Sequence, residues 1–397
     1  MSGTSGDEGS IGDEGSTEGE NDISAKGAGS IFIGLMSGTS IDAVDGVAVR
    51  FDAAGHLEAT LATASIPIPS DLRRRLTALQ QPGADELAQA ALAANRLADL
   101  YALCVHTLLD QAAIAPLAVA ALAAHGQTVR HQPEHGYTVQ LMNGSRLAEA
   151  TGIDTVTDLR SADLAAGGQG APLVPAFHAQ VFRGPTRRAI VNIGGIANIT
   201  ILEPAGASDV VTGYDTGPGN TLLDAWCELH LGERFDRDGQ WSRIGQVVPA
   251  LLENLLEEPF FSRLPPKSTG RDLFNLQWLE RQDLSAFAPA DVQASLAELT
   301  ARTVAASCHR NQVSEVFVCG GGALNPEVMS RLQIALGGVP AATTSSLGMN
   351  PQAVEATAFA WLARQRLERR PGNLPTVTGA SGARVLGALY PSAGRKG

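Results

Sequence analysis

Cysteine is scarce in this chain of 397 residues: Cys104, Cys227, Cys308 and Cys319 lie far apart and form no CxxC pair. Such spacing supports neither a disulfide framework nor a zinc site, and reducing cytoplasm is the simplest setting for it. Aromatic residues make up 5%, too few for a base-stacking platform. Eighteen apolar residues never run together, and the N-terminus is acidic where a signal peptide needs basic residues, so neither a membrane span nor export is expected. Basic residues are absent before Lys26, whereas Asp7, Glu8, Asp13, Glu14, Glu18, Glu20 and Asp22 precede it and carry roughly half of the net charge of -12. A broad basic face for nucleic acid or anionic lipid is therefore excluded. GxxxxGK[ST] is missing too, and no GxGxxG opens a helix after the first strand, so a nucleotide site must be assembled from other loops.

What is present divides sharply near residue 28. Before it, GDEGS occurs twice in a run of Gly, Ser, Asp and Glu that has too little apolar surface to offset its ordering entropy, and disorder is the expected state of 1–28. From Ile31 the texture is that of a folded protein with 44% hydrophobic residues. IFIGLM reads as a strand, SGTS as a turn and GVAVRF as a second strand. Helical spacing runs from Glu86 to Gln111, with Leu97, Leu100, Cys104 and Leu108 on one core-facing stripe. AIVNIGG, VVTGYDTGPG and VFVCGGG each read as a strand ending in glycines, and with helical stretches such as Pro351 to Arg369 they indicate α/β architecture. NIGGIANITIL repeats the strand, Gly-turn, strand logic of the first hairpin, which hints at two related lobes.

MSGTS stands at Met1 and again at Met36. Only the second copy is flanked by strands that would fix its backbone. Gly38, Thr39 and Ser40 offer the close backbone N–H groups and short hydroxyls that a phosphate needs, and Asp42 and Asp45, read as part of the same loop, suggest a divalent cation. Thr157 to His178 places Asp158, Arg160 and Asp163 ahead of Gly167-Gly168-Gln169-Gly170, which equips it equally for a polar, acid-bearing ligand or for a surface loop. Asp215, read as leaving a strand into Thr-Gly-Pro-Gly ahead of a helix capped by Asn220, suits a general base or a turn cap. His125 reads as lining a site, with His131 and His135 on the surface, and Gly320 to Gly322 as a bed for adenosine or a tight turn.

In order, GLMSGTSIDAVD, AAHGQTVRH, TGIDTVTDLRSADLAAGGQGAPLVPAFH, NIGGIANIT, GYDTGPGNTLLDAW, PKSTGRDLFN, VFVCGGGALNP and VTGASGARVLGALYP closely resemble the anhydro-N-acetylmuramic acid kinase family, from about Ser30 to Pro391. The resemblance implies a two-lobed actin-like, hexokinase-like ATPase fold of α/β class with a central cleft, drawn as lobe 1 at 29–155 plus 372–392 and lobe 2 at 156–371. It implies ATP and Mg2+, a small amino-sugar substrate, a cytoplasmic setting and a homodimer, with no nucleic acid or membrane partner. The reaction it implies is phosphorylation of 1,6-anhydro-N-acetylmuramic acid with hydrolytic opening of the ring, in recycling of cell-wall sugars. A kinase for another amino sugar or hexose, or an actin-like nucleotide-gated binding protein, are the competing readings.

Residue by residue, the resemblance makes Gly38, Thr39, Ser40, Ile41, Asp42, Ala43, Val44 and Asp45 the first phosphate loop, with Asp42 toward the metal. Gly194 and Gly195 become the second phosphate hairpin, Gly320, Gly321 and Gly322 the adenosine turn, Asp215 the catalytic base, and His125, Arg160, Asp163 and Glu355 the sugar side. Ala43 is the one departure, standing where the family usually has Gly in this loop, and its methyl group could crowd or stiffen the loop. Removal of Met1 to Ala28 is expected to leave kinase activity nearly intact; a large loss of turnover in the truncated protein would overturn the reading of the tail.

Overall fold

The structure, a computed structural model, describes residues 29–38 and 40–393, so the tail 1–28 and Thr39 lie outside the described residues. Its strands are β1 (Ser30–Met36), β2 (Ala43–Phe51), β3 (Leu57–Pro67), β4 (Val119–Ala124), β5 (Gln127–Gln132), β6 (Tyr137–Leu141), β7 (Thr155–Thr157), β8 (Arg188–Ile193), β9 (Ile196–Leu202), β10 (Val211–Pro218), β11 (Glu315–Cys319), β12 (Ala341–Thr343) and β13 (Ala388–Tyr390).

They form two principal sheets with one shared plan. The first runs β3-β2-β1-β4-β7 and adds β13 at its edge; the second runs β10-β9-β8-β11-β12. In each, three consecutive strands form an antiparallel meander, and the first of the three pairs in parallel with the fourth, which pairs in parallel with the fifth. The repeat hinted at by the two Gly-turn hairpins is thus a repeat of topology, carried by pairing order and hardly at all by residue identity. β5 and β6 form a separate two-stranded ribbon.

Burial explains the texture of each strand. β8 is buried along its whole length, as befits a central strand covered on both faces. Its one charged member, Arg188, is neutralised by Glu315 at 2.7 Å and donates to the Phe182 carbonyl at 2.8 Å. β3, at the far side of the first meander, alternates between half-buried and exposed positions. Asp45 lies inside β2, opposite Met36 and Ser65, and not in the loop expected from sequence, because the buried Val44 already belongs to the strand pattern. Ala43 starts β2 and is absent from the residues with positive φ, so its methyl group is accommodated there.

The helix Glu86–Ala112 closes one face of the first sheet through Leu97, Tyr101, Cys104, Val105 and Leu108. Pro289–Arg310 does the same for the second sheet through Val292, Leu296, Leu299 and Val304. Val354–Leu367 belongs to a third cluster that joins Phe32, Val47 and Ala121 of the first sheet to Ile190 and Phe317 of the second. The division drawn from sequence assigns this helix to lobe 2, yet it packs against β1, β2 and β4. Among the described residues, no helix is long and apolar enough to cross a membrane.

Helix and sheet are in close contact at Gly34 of β1, where an added Cβ would lie 1.8 Å from the Ala356 carbonyl oxygen and 2.4 Å from the Ala360 nitrogen. Both are backbone atoms and cannot swing aside. Gly34→Ala is therefore expected to cost about 3 kcal/mol or more, the upper end for overpacking. Urea denaturation measures this, and a variant within about 1 kcal/mol of the parent would show that the helix can shift without penalty.

Candidate functional site

Charged contacts link the segments expected from sequence: Glu355 feels Arg160, Asp45 and Asn192, and Asp224 feels Arg271 and Asp42. In the first loop, Ile41 donates its amide to the Gly38 carbonyl at 3.1 Å and has φ of 55°, a left-handed conformation uncommon for a β-branched residue. Its side chain is buried, which holds the conformation in place. The loop is fastened from below: Gln127 Nε2 donates to the Gly38 carbonyl at 3.2 Å, Ser37 Oγ to the Gly126 carbonyl at 3.0 Å, and Tyr101 OH to Ser37 Oγ at 2.8 Å. Thr39 lies outside the described residues, and Ser40 follows it in the turn.

Asp42 does not stand free. Arg234, from the segment that follows the helix Thr221–Leu231, donates to its Oδ1, and Arg73 of the helix Ser70–Ala78 lies 3.4 Å from the same oxygen. Asp45 accepts from Ser65 Oγ at 2.7 Å, and burial raises its carboxyl above the usual range.

The second hairpin turn, Gly194-Gly195, is held by the chain that follows β10. Asn220 donates its amide to the Gly194 carbonyl at 2.8 Å, while Gly219 and Thr221 donate to the Gly195 carbonyl at 2.9 and 3.0 Å. Asn220 occupies the cap position of the helix Thr221–Leu231, but its side chain makes no capping bond and donates instead to the Ile193 carbonyl at 3.1 Å. This corrects the capping role read from sequence: tying the hairpin to the helix takes the amide group. Gly320 and Gly322 pack against the same strand end. A Cβ on Gly320, whose φ is 80°, would meet Asn192 Oδ1 at 2.2 Å, and one on Gly322 would meet Ile193 Cγ2 at 2.3 Å. Beyond this turn, Leu324, Thr343, Ser345, Gly348, Met349, Asn350 and Pro351 line an open groove of about 430 Å³.

Asp215 is not at the end of its strand as expected. β10 continues to Pro218 and carries an irregularity between Asp215 and Gly217, a bulge of the kind that re-aims a side chain. The carboxylate accepts from the Thr269 amide at 2.9 Å. Burial pushes it up to about 6, against the lowering influence of the Thr269 amide, Ser268 and Lys267. A carboxyl poised there is largely ionised at neutral pH yet basic enough to take a proton.

Arg160 donates to His125 Nε2 through Nε at 3.2 Å and Nη2 at 2.9 Å, and to the Gly170 carbonyl at 2.7 Å. Because a guanidinium only donates, Nε2 is the acceptor and the imidazole is neutral. Burial, reinforced by Arg160, pushes His125 down to about 3. Glu355, in the first turn of Val354–Leu367, is raised by burial and opposed by Arg160, which places these three residues in one electrostatic group. Asp163 is the exception among the expected sugar-side residues. It is fully buried, and protein donors take its oxygens: the Gly170 amide at 2.7 Å, Asn373 Nδ2 at 2.6 Å and Thr378 Oγ1 at 2.7 Å. Its place is beneath the loop that carries Arg160, as an anchor, and this corrects the direct contact read from sequence.

Sequence reasoning passed over Arg73 and Arg234, and it used the segment Lys267–Arg271 only as part of the motif PKSTGRDLFN, with no role assigned. Asp224, inside the motif GYDTGPGNTLLDAW, was given no role; it lies in the first turn of the helix Thr221–Leu231, where burial pushes its carboxyl up to about 7, with Arg271 opposing and Asp42 adding to the shift. The polar run PKSTGRD after the apolar PFF was the available signal. Its importance depends on which strand it lies beside, and the sequence does not show that.

The profile of the anhydro-N-acetylmuramic acid kinase family matches residues 30–392. The protein of that name from Bordetella parapertussis is 56% identical over 371 residues, covering 92% of this chain and 97% of that one. Its namesake from Paraburkholderia xenovorans is 54% identical over 374 residues, covering 92% and 98%. Among solved structures, the activator of 2-hydroxyisocaproyl-CoA dehydratase from Clostridium difficile with bound ADPNP is 14% identical, covers 85% of this chain and 96% of that one, and has a TM-score of 0.45, too distant to bear on function.

Asp163→Asn turns one acceptor oxygen into an NH2 group facing a donor. It is expected to destabilise the protein by about 1 to 3 kcal/mol. Chemical denaturation reads this, and an unchanged midpoint would mean that Asp163 is not the anchor described.

Proposed function

The chain belongs to the anhydro-N-acetylmuramic acid kinase family, and from that premise we propose that it opens the ring of 1,6-anhydro-N-acetylmuramic acid with water and phosphorylates O6 at the expense of ATP. The products are N-acetylmuramic acid 6-phosphate and ADP, in recycling of cell-wall sugars. The observation that carries the assignment of roles is Asp215, a half-buried carboxylate aimed by a strand bulge and lifted to about 6.

Asp215 takes a proton from water as the water oxygen attacks the anomeric carbon. The bond from that carbon to O6 breaks, its electron pair stays on O6, and O6 bonds to the γ-phosphorus as ADP leaves. One base serves both events because ring opening creates the acceptor in place. Gly38 to Asp45 and Gly194-Gly195 are proposed to hold the phosphates from two sides, and Gly320 to Gly322 to bed the adenosine. Arg160, His125 and Glu355 are proposed to receive the sugar and its lactyl carboxylate, with a guanidinium fork suited to that acid. A neutral His125 leaves Arg160 its full charge for this purpose.

Mg2+ is proposed as the companion of ATP. The residues as they stand do not fit a cation at Asp42, because two guanidinium groups already face its carboxylate. Among the described residues, no group of three or more His, Cys, Asp or Glu converges elsewhere to hold one, and no step is assigned to metal. A cytoplasmic homodimer divided at 29–155 plus 372–392 and 156–371 is proposed from family resemblance.

Incubation with ATP, Mg2+ and the anhydro sugar in 18O water is expected to place one label at the anomeric carbon; phosphorylation without label would contradict ring opening by water. Turnover is expected to fall as pH drops through about 6, since protonation of Asp215 removes the base. Asp215→Asn is expected to retain ATP binding while losing about three orders of magnitude or more in turnover. Near-normal turnover in that variant would move the base elsewhere.

A further inference from the structure

The segment Lys267–Thr269 runs beside β10 and grips Asp215 from two directions. The Lys267 carbonyl accepts from the Asp215 amide at 3.2 Å, and the Thr269 amide donates to Asp215 Oδ2 at 2.9 Å. The Lys267 side chain fastens the segment by donating to the carbonyls of Phe260 at 3.1 Å and Phe261 at 3.3 Å. Its ammonium also lies 4.6 Å from the ring centre of Phe260 and 5.9 Å from that of Tyr214, within range of a cation–π attraction. Thr269 is thus held beside the base by contacts that need no substrate.

The Thr269 hydroxyl has a different status from its amide: it is buried and has no hydrogen-bond partner. Leaving a buried hydroxyl unpaired costs about 1 to 3 kcal/mol, so such atoms are rare and call for an explanation. Covalent geometry keeps Oγ1 within about 4 Å of its own amide nitrogen. The amide that grips Asp215 Oδ2 at 2.9 Å and the unpaired hydroxyl therefore belong to one residue fixed beside the base, with Oγ1 no more than about 7 Å from that oxygen.

We propose that Thr269 is a water-positioning residue: its amide orients Asp215, and its hydroxyl accepts a hydrogen bond from the water that Asp215 deprotonates. The inference rests on the ring-opening reaction above. A carboxylate alone fixes one hydrogen of the water and leaves the oxygen free to swing about that bond. A second acceptor fixes the other hydrogen and so directs the lone pair at the anomeric carbon, the kind of orientation that lowers a barrier without tightening binding. The hydrogen held by Thr269 stays on the oxygen that becomes the anomeric hydroxyl. The other passes to Asp215, and the balance of bonds is otherwise unchanged.

Thr269→Val keeps the amide and the shape but removes the hydroxyl; Thr269→Ser keeps both polar groups. Steady-state kinetics in 18O water are expected to show a fall in kcat of about 10- to 100-fold for the valine variant, with KM for either substrate within about twofold. The acid limb of its pH profile should stay where it is in the parent, because the amide that grips Asp215 is intact, and the serine variant should recover most of the rate. Thr269→Ala repeats the test should the valine variant fail to fold. A valine variant with kcat within about twofold of the parent, a loss that serine does not repair, or a loss expressed in KM alone would overturn the proposal. Failure of the parent protein to place label at the anomeric carbon would instead overturn the ring-opening reading, so the two failures are distinct.

Discussion

At Gly34 the backbone of β1 touches the backbone of the helix Val354–Leu367 with no side chain between them. This contact sets the depth at which the helix lies between the sheets. The helix is buried along most of its length, from Val354 through Arg364, and belongs to a cluster that draws on both sheets. Its first turn carries Glu355, so the same contact that seats the helix also fixes how far that carboxylate reaches toward Arg160 and Asn192. Lobe packing and site geometry share a single constraint.

A second consequence concerns charge. Burying Arg160, Glu355, Asp215 and Asp224 near one cleft is costly unless each finds a partner of opposite sign or a hydrogen bond. The structure meets that condition unevenly. Asp163 is satisfied entirely by protein donors and reads as scaffold. Asp215 keeps only partial compensation, which leaves its carboxyl lifted to about 6, and the Thr269 hydroxyl has none. Unevenness of this kind separates groups that hold the fold from groups placed for chemistry. Asp42 belongs to neither extreme: Arg73 holds it from the helix Ser70–Ala78 on its own side, and Arg234 ties it to a segment distant in sequence.

Much of this was legible in the chain itself. The hairpins around Gly38 and Gly194, the helix from Glu86 and the helix after Pro351 follow from hydrophobic period and glycine placement, which are local properties. Asp215, His125 and Arg160 stood out by their polar and glycine-rich surroundings and Glu355 by motif resemblance, and the structure brings the last three together. Misreadings arose where a residue's role depends on something distant in sequence. Asp163 looks like a ligand group until Asn373 and Thr378 reach it across more than two hundred residues. Asp45 looks like a loop carboxylate until the register of β2 places it opposite Ser65.

The sequence by itself determined the two Gly-turn hairpins, the helices from Glu86 and after Pro351, the family and the short list of polar residues that a phosphoryl-transfer site needs, because period, turn chemistry and motif spacing act over a few residues at a time. Only the tertiary structure decided that two meanders of unlike sequence share one pairing order, that a bulge turns Asp215, that Lys267–Thr269 lies against it, and that Asp42 is held by Arg73 and Arg234. Each of these depends on which backbone edges and charges meet after folding, and burial then sets the proton affinity of the groups that meet there.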